Sequence, residues 1–127
     1  MHSIKTYIID KHVAVSQALQ MRLKMDAALE IIYAGPYLQH LAESVGFADV
    51  ALVGLASDSQ ANREQTEQIV IELSAQKTAV ILLTPYIDEV ERELALNAGA
   101  YRYLLKTINT TELIAEITTV YHEKHAK

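Results

Sequence analysis

Four residues of this chain each follow a short apolar run, and together they could form a charged pocket. Asp10 follows the run at 4–9, Gly54 the run at 48–53, Thr84 the run at 78–83, and Lys106 the run at 101–105. Their side chains include a carboxylate, a hydroxyl and an ammonium group, which can form an ion pair or hold an anion. Gly54 brings no side chain and therefore no nucleophile.

The apolar runs predict five strands, which alternate with five segments of helical spacing. A second strand is predicted at 28–33, and Gly46 and Gly99 are placed to end the second and fourth helices. Asn109 or Thr110 is suited to begin the last helix. The helical segments are recognised by apolar residues three or four positions apart: Val15, Leu19 and Leu23; Leu38, Leu41, Ala42 and Val45; Thr66, Ile69, Val70 and Leu73; Val90, Leu94 and Ala98; Leu113, Ile114, Ile117 and Val120.

The resulting βαβαβαβαβα pattern predicts an α/β protein with one domain over residues 1–127. Right-handed crossovers between parallel strands leave few arrangements, and the commonest for five strands is the flavodoxin-like order 2-1-3-4-5. The expected fold is a flavodoxin-like (βα)5 three-layer sandwich. That order brings the ends of strands 1, 3, 4 and 5 together, so Asp10, Gly54, Thr84 and Lys106 are expected to share one pocket.

Composition excludes several classes of function. The chain has 127 residues, a formal net charge of -5 and no cysteine. An acidic chain lacks the basic face needed for broad nucleic-acid binding, and without cysteine it has neither disulfides nor thiolate metal sites. Because no apolar run approaches about 18 residues, we predict a cytoplasmic protein without membrane contact.

Four motifs in this order resemble the receiver domain of response regulators in two-component signalling. The motifs are DKH at 10–12, ADVALV at 48–53, LLT at 82–84 and AGAYRYLLK at 98–106. They are similar to receivers of NarL/LuxR-type transcription regulators over about residues 4–121. The resemblance implies a pocket built from an acidic residue after strand 1, a Thr after strand 4 and a Lys after strand 5.

Two departures from the family pattern change the implied chemistry. Gly54 stands where the family has its phosphate-accepting Asp, and Lys11 stands in the second position of the acidic pair that holds Mg²⁺. The pocket residues Asp10, Lys11 and Lys106 then carry about +1 charge, which disfavours a cation that prefers carboxylates. We therefore predict a pseudo-receiver that is not an enzyme, has no catalytic residue and binds no cofactor or metal.

The residues leave several alternatives for this pocket. Asp10 and Lys106 could form a purely structural ion pair, or Lys106, Lys11 and the Thr84 hydroxyl could bind an anion. The Lys11 ammonium could lie near the position of the metal or point into solvent. Asp58 could accept phosphate in place of residue 54. A flavodoxin-like nucleotide-binding domain is a further alternative, although the loop after strand 1 lacks phosphate-binding glycines.

The fifth strand suggests how the domain acts on other proteins. By the resemblance, Tyr103 is the aromatic that moves inward when the Thr hydroxyl follows the phosphate. Tyr101, Arg102 and Tyr103 predict an interaction face on helix 4, strand 5 and helix 5, for a protein partner or a homodimer. The alternative is that both tyrosines pack against helices. We expect direct DNA binding only from a helix-turn-helix domain, if one follows in the full-length protein.

Overall fold

The computed structural model describes residues 3–55 and 60–126, and it contains the predicted alternation of strands and helices. The confirmed order is βαβαβαβαβα. The strands are β1 (Ile4–Ile9), β2 (Leu29–Gly35), β3 (Val50–Gly54), β4 (Ala79–Thr84) and β5 (Arg102–Leu105). The helices are α1 (Val13–Leu23), α2 (Leu41–Val45), α3 (Gln60–Ala75), α4 (Glu89–Ala98) and α5 (Thr110–His125).

The five strands form one parallel sheet in the order β2-β1-β3-β4-β5, which confirms the predicted flavodoxin-like fold. In the sheet register Ile9 pairs with Val53, and Gly54 pairs with Leu83. Thr84 is the last residue of β4 and pairs with Leu105 on β5. The carboxyl ends of four strands therefore meet at one edge, as this strand order requires.

Alternate residues of the central strands feed two hydrophobic cores, one on each face of the sheet. Leu52 and Ile81 pack on the face covered by α1 and α5, whereas Val53 and Leu82 pack on the face covered by α2, α3 and α4. Both faces are buried because parallel strands joined by helical crossovers are covered on both sides. This explains why the strands read as continuous apolar runs.

Two of the predicted helices differ from the sequence interpretation in detail. Helix α2 begins at Leu41, and Leu38 lies exposed in the preceding loop, so the helical spacing that included Leu38 was wrong there. Helix α4 forms as predicted, but its recurring apolar residues Val90 and Leu94 are exposed. The buried positions of α4 are instead Glu91 and Ala95.

The last helix begins as the sequence predicted. The Asn109 side chain accepts a hydrogen bond from the backbone N–H of Glu112 at 2.8 Å, which satisfies one of the free donors in the first turn. Leu113, Ile117 and Val120 then lie fully buried along one side of α5. Among residues 3–55 and 60–126, no helix is long and apolar enough to span a membrane.

Candidate functional site

Asp10 and Lys106 form a buried ion pair at the carboxyl edge of the sheet. The Lys106 ammonium donates to Asp10 Oδ2 at 3.0 Å, and the backbone N–H of His12 donates to Asp10 Oδ1 at 2.8 Å. The Asp10 side chain is 1 % exposed and that of Lys106 is 19 % exposed. Both carboxylate oxygens therefore have a donor, which is the condition under which a buried carboxylate is tolerated.

The carboxylate of Asp10 fills the space beside Gly54. A Cβ atom added to residue 54 would lie 2.0 Å from Asp10 Oδ2 and 3.2 Å from Lys106 Cε. The first distance is well inside van der Waals contact, and the Asp10 side chain is short and held at both oxygens. Any side chain at position 54 would therefore compete with Asp10 for the same volume.

Lys11 points toward α3 and contacts a different partner from Lys106. Its ammonium donates to Asn62 Oδ1 at 2.5 Å, and the side chain is exposed. Lys11 also lines an open cleft of about 280 Å³ together with Asp10 and Gly54. The cation paired with Asp10 is thus Lys106, and Lys11 ties the loop after β1 to α3.

The Thr84 hydroxyl is directed toward α4. Thr84 Oγ1 lies 3.1 Å from Glu91 Oε1 and 2.9 Å from the carbonyl oxygen of Tyr86, and the residue is buried. The three groups of the predicted anion pocket therefore have separate partners: Lys106 contacts Asp10, Lys11 contacts Asn62, and Thr84 contacts Glu91.

Tyr103 lies inside the fold, between β5 and α4. Its hydroxyl donates to Glu91 Oε1 in a short hydrogen bond and accepts from the backbone N–H of Asp88 at 3.1 Å. Burial raises the pKa of the Tyr103 hydroxyl, and the hydrogen bond to Glu91 raises this pKa further. The predicted switch aromatic is therefore in the inward position, held by a carboxylate of the same chain.

Glu91 also faces Arg63 on α3. Arg63 Nε lies 3.3 Å from Glu91 Oε2, where the Glu91 side chain is 9 % exposed and that of Arg63 is 43 % exposed. Among the residues that the structure describes, Glu91 Oε2 accepts no hydrogen bond. The ion pair with Arg63 is thus the main compensation for this buried oxygen.

The three residues of the predicted interaction face, Tyr101, Arg102 and Tyr103, lie in different environments. Tyr103 is buried, and Tyr101 is partly buried against the core next to α5. Arg102 is paired with two glutamates of α5, at 3.0 Å to Glu116 and 2.6 Å to Glu123. The Arg102 guanidinium lowers the pKa of the Glu123 carboxyl.

Among the described residues, the groups beside Gly54 are a poor match to the oxygen ligands that Mg²⁺ prefers. Asp10 supplies a carboxylate there, and its two oxygens are already engaged by Lys106 and His12. Lys11 and Gly54 contribute no oxygen ligand from their side chains. In the described part of the chain, no three His, Cys, Asp or Glu residues are grouped as a metal site would require.

The sequence interpretation missed two residues next to this edge and named one that the structure does not describe. Glu91 contacts Thr84 and Tyr103, and Arg63 contacts Glu91, yet no motif marked either residue. The sequence contains no clear signal for Glu91, because the apolar spacing of its helix predicted that Val90 and Leu94 face inward. Asp58, the alternative phosphate acceptor, lies outside the described residues.

Comparison with known proteins gives the same fold and related sequences. The chain is 33% identical over 112 residues to the transcriptional regulatory protein LiaR of Bacillus subtilis. The matched region covers 87% of this chain and 52% of LiaR. It is 27% identical over 123 residues to the response regulator protein VraR of Staphylococcus saprophyticus, covering 95% of this chain and 58% of VraR. No protein-family model matches.

Solved structures superpose over nearly the whole chain. A CheY-like response regulator receiver domain from Methanospirillum hungatei has a TM-score of 0.78 at 20% identity, covering 98% of both chains. The chain is related in sequence to response regulators and has the receiver-domain fold. A response regulator from Thermotoga maritima has a TM-score of 0.79 at 17% identity, covering 94% of this chain and 98% of that chain. The receiver domain spans about half the length of the curated relatives it matches.

Proposed function

We propose that this receiver domain is a pseudo-receiver, which signals by protein contact without accepting phosphate at the usual position. The observation that carries this proposal is the placement of Asp10. Its carboxylate occupies the space of a side chain at position 54, where the receiver resemblance puts the phosphate-accepting Asp. Gly54 supplies no nucleophile, and the Cβ of an acceptor side chain would collide with Asp10 Oδ2.

The charges at the sheet edge support the same proposal. Phosphoryl transfer to a carboxylate needs a nucleophile in line with the phosphorus and a cation that offsets the phosphate charge. Here the Asp10 carboxylate is neutralised by Lys106, and both of its oxygens accept hydrogen bonds. Its counter-ion comes from the chain itself, so we expect neither Mg²⁺ nor phosphate to be required for the folded state.

The partner surface is proposed on α4, β5 and α5. Exposed apolar side chains there include Ile87, Val90 and Leu94 on or beside α4 and Leu105 at the end of β5. Apolar residues without a covering element are common at protein interfaces. We expect a homodimer or a protein partner on this face, with Arg102 and Tyr101 at its edge. Tyr103 is buried and would act from inside.

A role in transcription regulation follows from the relatives and is also a proposal. LiaR is described as a transcriptional regulatory protein, and this chain corresponds to about half of it. We propose that the receiver domain is the regulatory part of such a protein in a two-component system. The domain would be a signalling module, not an enzyme, and DNA contact would belong to a helix-turn-helix domain. The cytoplasmic location remains a prediction.

Treatment with a small-molecule phosphodonor tests the proposal directly. The protein is incubated with acetyl phosphate and Mg²⁺, and its intact mass is measured by mass spectrometry, with a receiver of ordinary sequence as the positive control. We expect no added phosphoryl group. A phosphoryl adduct that hydroxylamine removes would contradict the proposal, and its loss in the Asp58→Asn variant would assign it to Asp58.

A further inference from the structure

Glu91 connects four elements of the receiver domain through one buried carboxylate. Glu91 itself lies on α4. It contacts Thr84 of β4, Tyr103 of β5 and Arg63 of α3. Its Oε1 atom accepts from the Tyr103 hydroxyl and lies 3.1 Å from Thr84 Oγ1, whose one proton is shared with the Tyr86 carbonyl oxygen at 2.9 Å. Its Oε2 atom faces the Arg63 guanidinium. Glu91 occupies a buried position of α4. The apolar spacing of the sequence does not predict a charged residue at such a position.

The Tyr103 hydroxyl links the Glu91 carboxylate to the loop before α4. It donates to Glu91 and accepts from the backbone N–H of Asp88, the N-terminal cap of the helix. Asp88 in turn accepts from the backbone N–H of Glu91 at 2.9 Å. The inward position of Tyr103 and the start of α4 are therefore fixed together.

The two oxygens of Glu91 differ in how well they are compensated. Oε1 accepts from the Tyr103 hydroxyl and has the Thr84 hydroxyl beside it, whereas Oε2 is buried with only the Arg63 ion pair at 3.3 Å among the described residues. A buried charge is costly when its counter-ion is removed, so Glu91 depends on Arg63 to stay inside. Of the four side chains, Arg63 alone is exposed, and it lines a small cleft between α3 and α4.

We propose that Glu91 and Arg63 form a latch that holds Tyr103 inward. Through this latch, a residue of α3 controls the conformation of the α4 surface. This inference rests on the proposed pseudo-receiver function and names its internal regulation. By the receiver resemblance, the hydroxyl after β4 and the aromatic on β5 respond to phosphate. Here a carboxylate of the chain itself contacts both groups. Arg63 is then the place where the latch can be reached from solvent.

Hydrogen exchange of the Asp88 amide reports the state of the latch. This amide donates to the Tyr103 hydroxyl, so it loses protection when Tyr103 leaves. The exchange rate is measured by NMR in the full chain and divided by the rate of the Leu82 amide in the sheet. The ratio corrects for any general loss of stability. The variants are Glu91→Gln, which removes the charge with little change of shape, and Arg63→Met.

We expect the ratio to rise about tenfold in E91Q, since a hydrogen bond to a charged group is replaced by one to a neutral amide. R63M should raise it in the same direction by a smaller factor. The matched controls are Glu89→Gln and Arg92→Met, an exposed pair on the same helix, 3.8 Å apart, which should leave the ratio unchanged.

Three results would overturn the latch. They are an unchanged ratio in E91Q, an unchanged ratio in R63M, or an equal rise in the control variants. None of these results depends on phosphorylation, so the mass measurement with acetyl phosphate judges the pseudo-receiver proposal separately.

Discussion

The Asp10 pair and the Glu91 latch are two buried carboxylates at neighbouring positions of the same sheet edge, and they differ in how firmly they are held. Asp10 has a backbone donor on one oxygen and Lys106 on the other, and the side chains of Asp10 and Lys106 are both largely enclosed. Glu91 has hydroxyl groups beside one oxygen and a half-exposed Arg63 opposite the other. A fully compensated pair has one stable arrangement, whereas a pair with an exposed partner can open. The Asp10 pair is suited to occupy the space beside Gly54 permanently, and the Glu91 pair is suited to hold or release Tyr103.

Removing the counter-ion of Asp10 should have the largest effect. Lys106→Met leaves a buried carboxylate with a single donor, and we expect the free energy of unfolding to fall by about 3–5 kcal/mol. Urea unfolding followed by circular dichroism measures the change. Lys11→Met is the matched control, because Lys11 is exposed and contacts Asn62, and its effect should stay within about 0.5 kcal/mol. A loss below about 1 kcal/mol in K106M would show that the pair behaves as a surface ion pair.

Removing the hydroxyl of Tyr103 should have an intermediate effect. Tyr103→Phe keeps the ring but takes one donor from Glu91 and the acceptor from the Asp88 N–H, and we expect a loss of about 1–2 kcal/mol. Urea unfolding at neutral pH provides the value. Because the pKa of Tyr103 is raised in the fold, the wild-type contribution is complete below its ordinary pKa and declines as the pH rises through the raised value. A Y103F variant as stable as the wild type would indicate that the latch contributes no net stability.

Breaking the surface pair between Arg102 and Glu123 should have the smallest effect. Because Arg102 lowers the pKa of Glu123, the contribution of the pair is complete above the ordinary pKa of a glutamate and is lost as the pH falls through the lowered one. Glu123→Gln should therefore shift the urea midpoint slightly at neutral pH, and the shift should shrink as the pH is lowered below the ordinary pKa of a glutamate. High salt should reduce the shift at neutral pH. A shift that survives both conditions would contradict an electrostatic origin.

The sheet edge was predictable because strand ends are marked by the sequence itself. Five apolar runs separated by helical segments fix a parallel sheet, and the common strand order brings Asp10, Gly54, Thr84 and Lys106 to one edge. The missing side chain at Gly54 was also visible in the sequence. What the sequence could not supply was the direction of each side chain. It therefore left open whether Lys106 pairs with Asp10 or binds an anion with Lys11 and the Thr84 hydroxyl.

The latch was not predictable because its members follow no periodic pattern. Val90 and Leu94 have the apolar spacing of a buried face, yet they are exposed, and the neighbouring Glu91 is buried instead. Whether a charged residue faces inward depends on partners that are distant in the sequence. Arg63 on α3 and Tyr103 on β5 become partners only through the fold. The same dependence explains why Tyr103 was assigned both to a switch and to a surface.

A double-mutant cycle between Gly54→Ala and Asp10→Ala tests most directly whether Asp10 occupies the space of the acceptor side chain. The free energy of unfolding is measured by urea for the wild type, both single variants and the double variant. A Cβ at residue 54 would lie 2.0 Å from Asp10 Oδ2, so we predict that G54A costs about 2 kcal/mol in the wild-type background. In the D10A background that cost should fall by about 1.5 kcal/mol or more. Additive effects, equal within about 0.5 kcal/mol, would contradict the account.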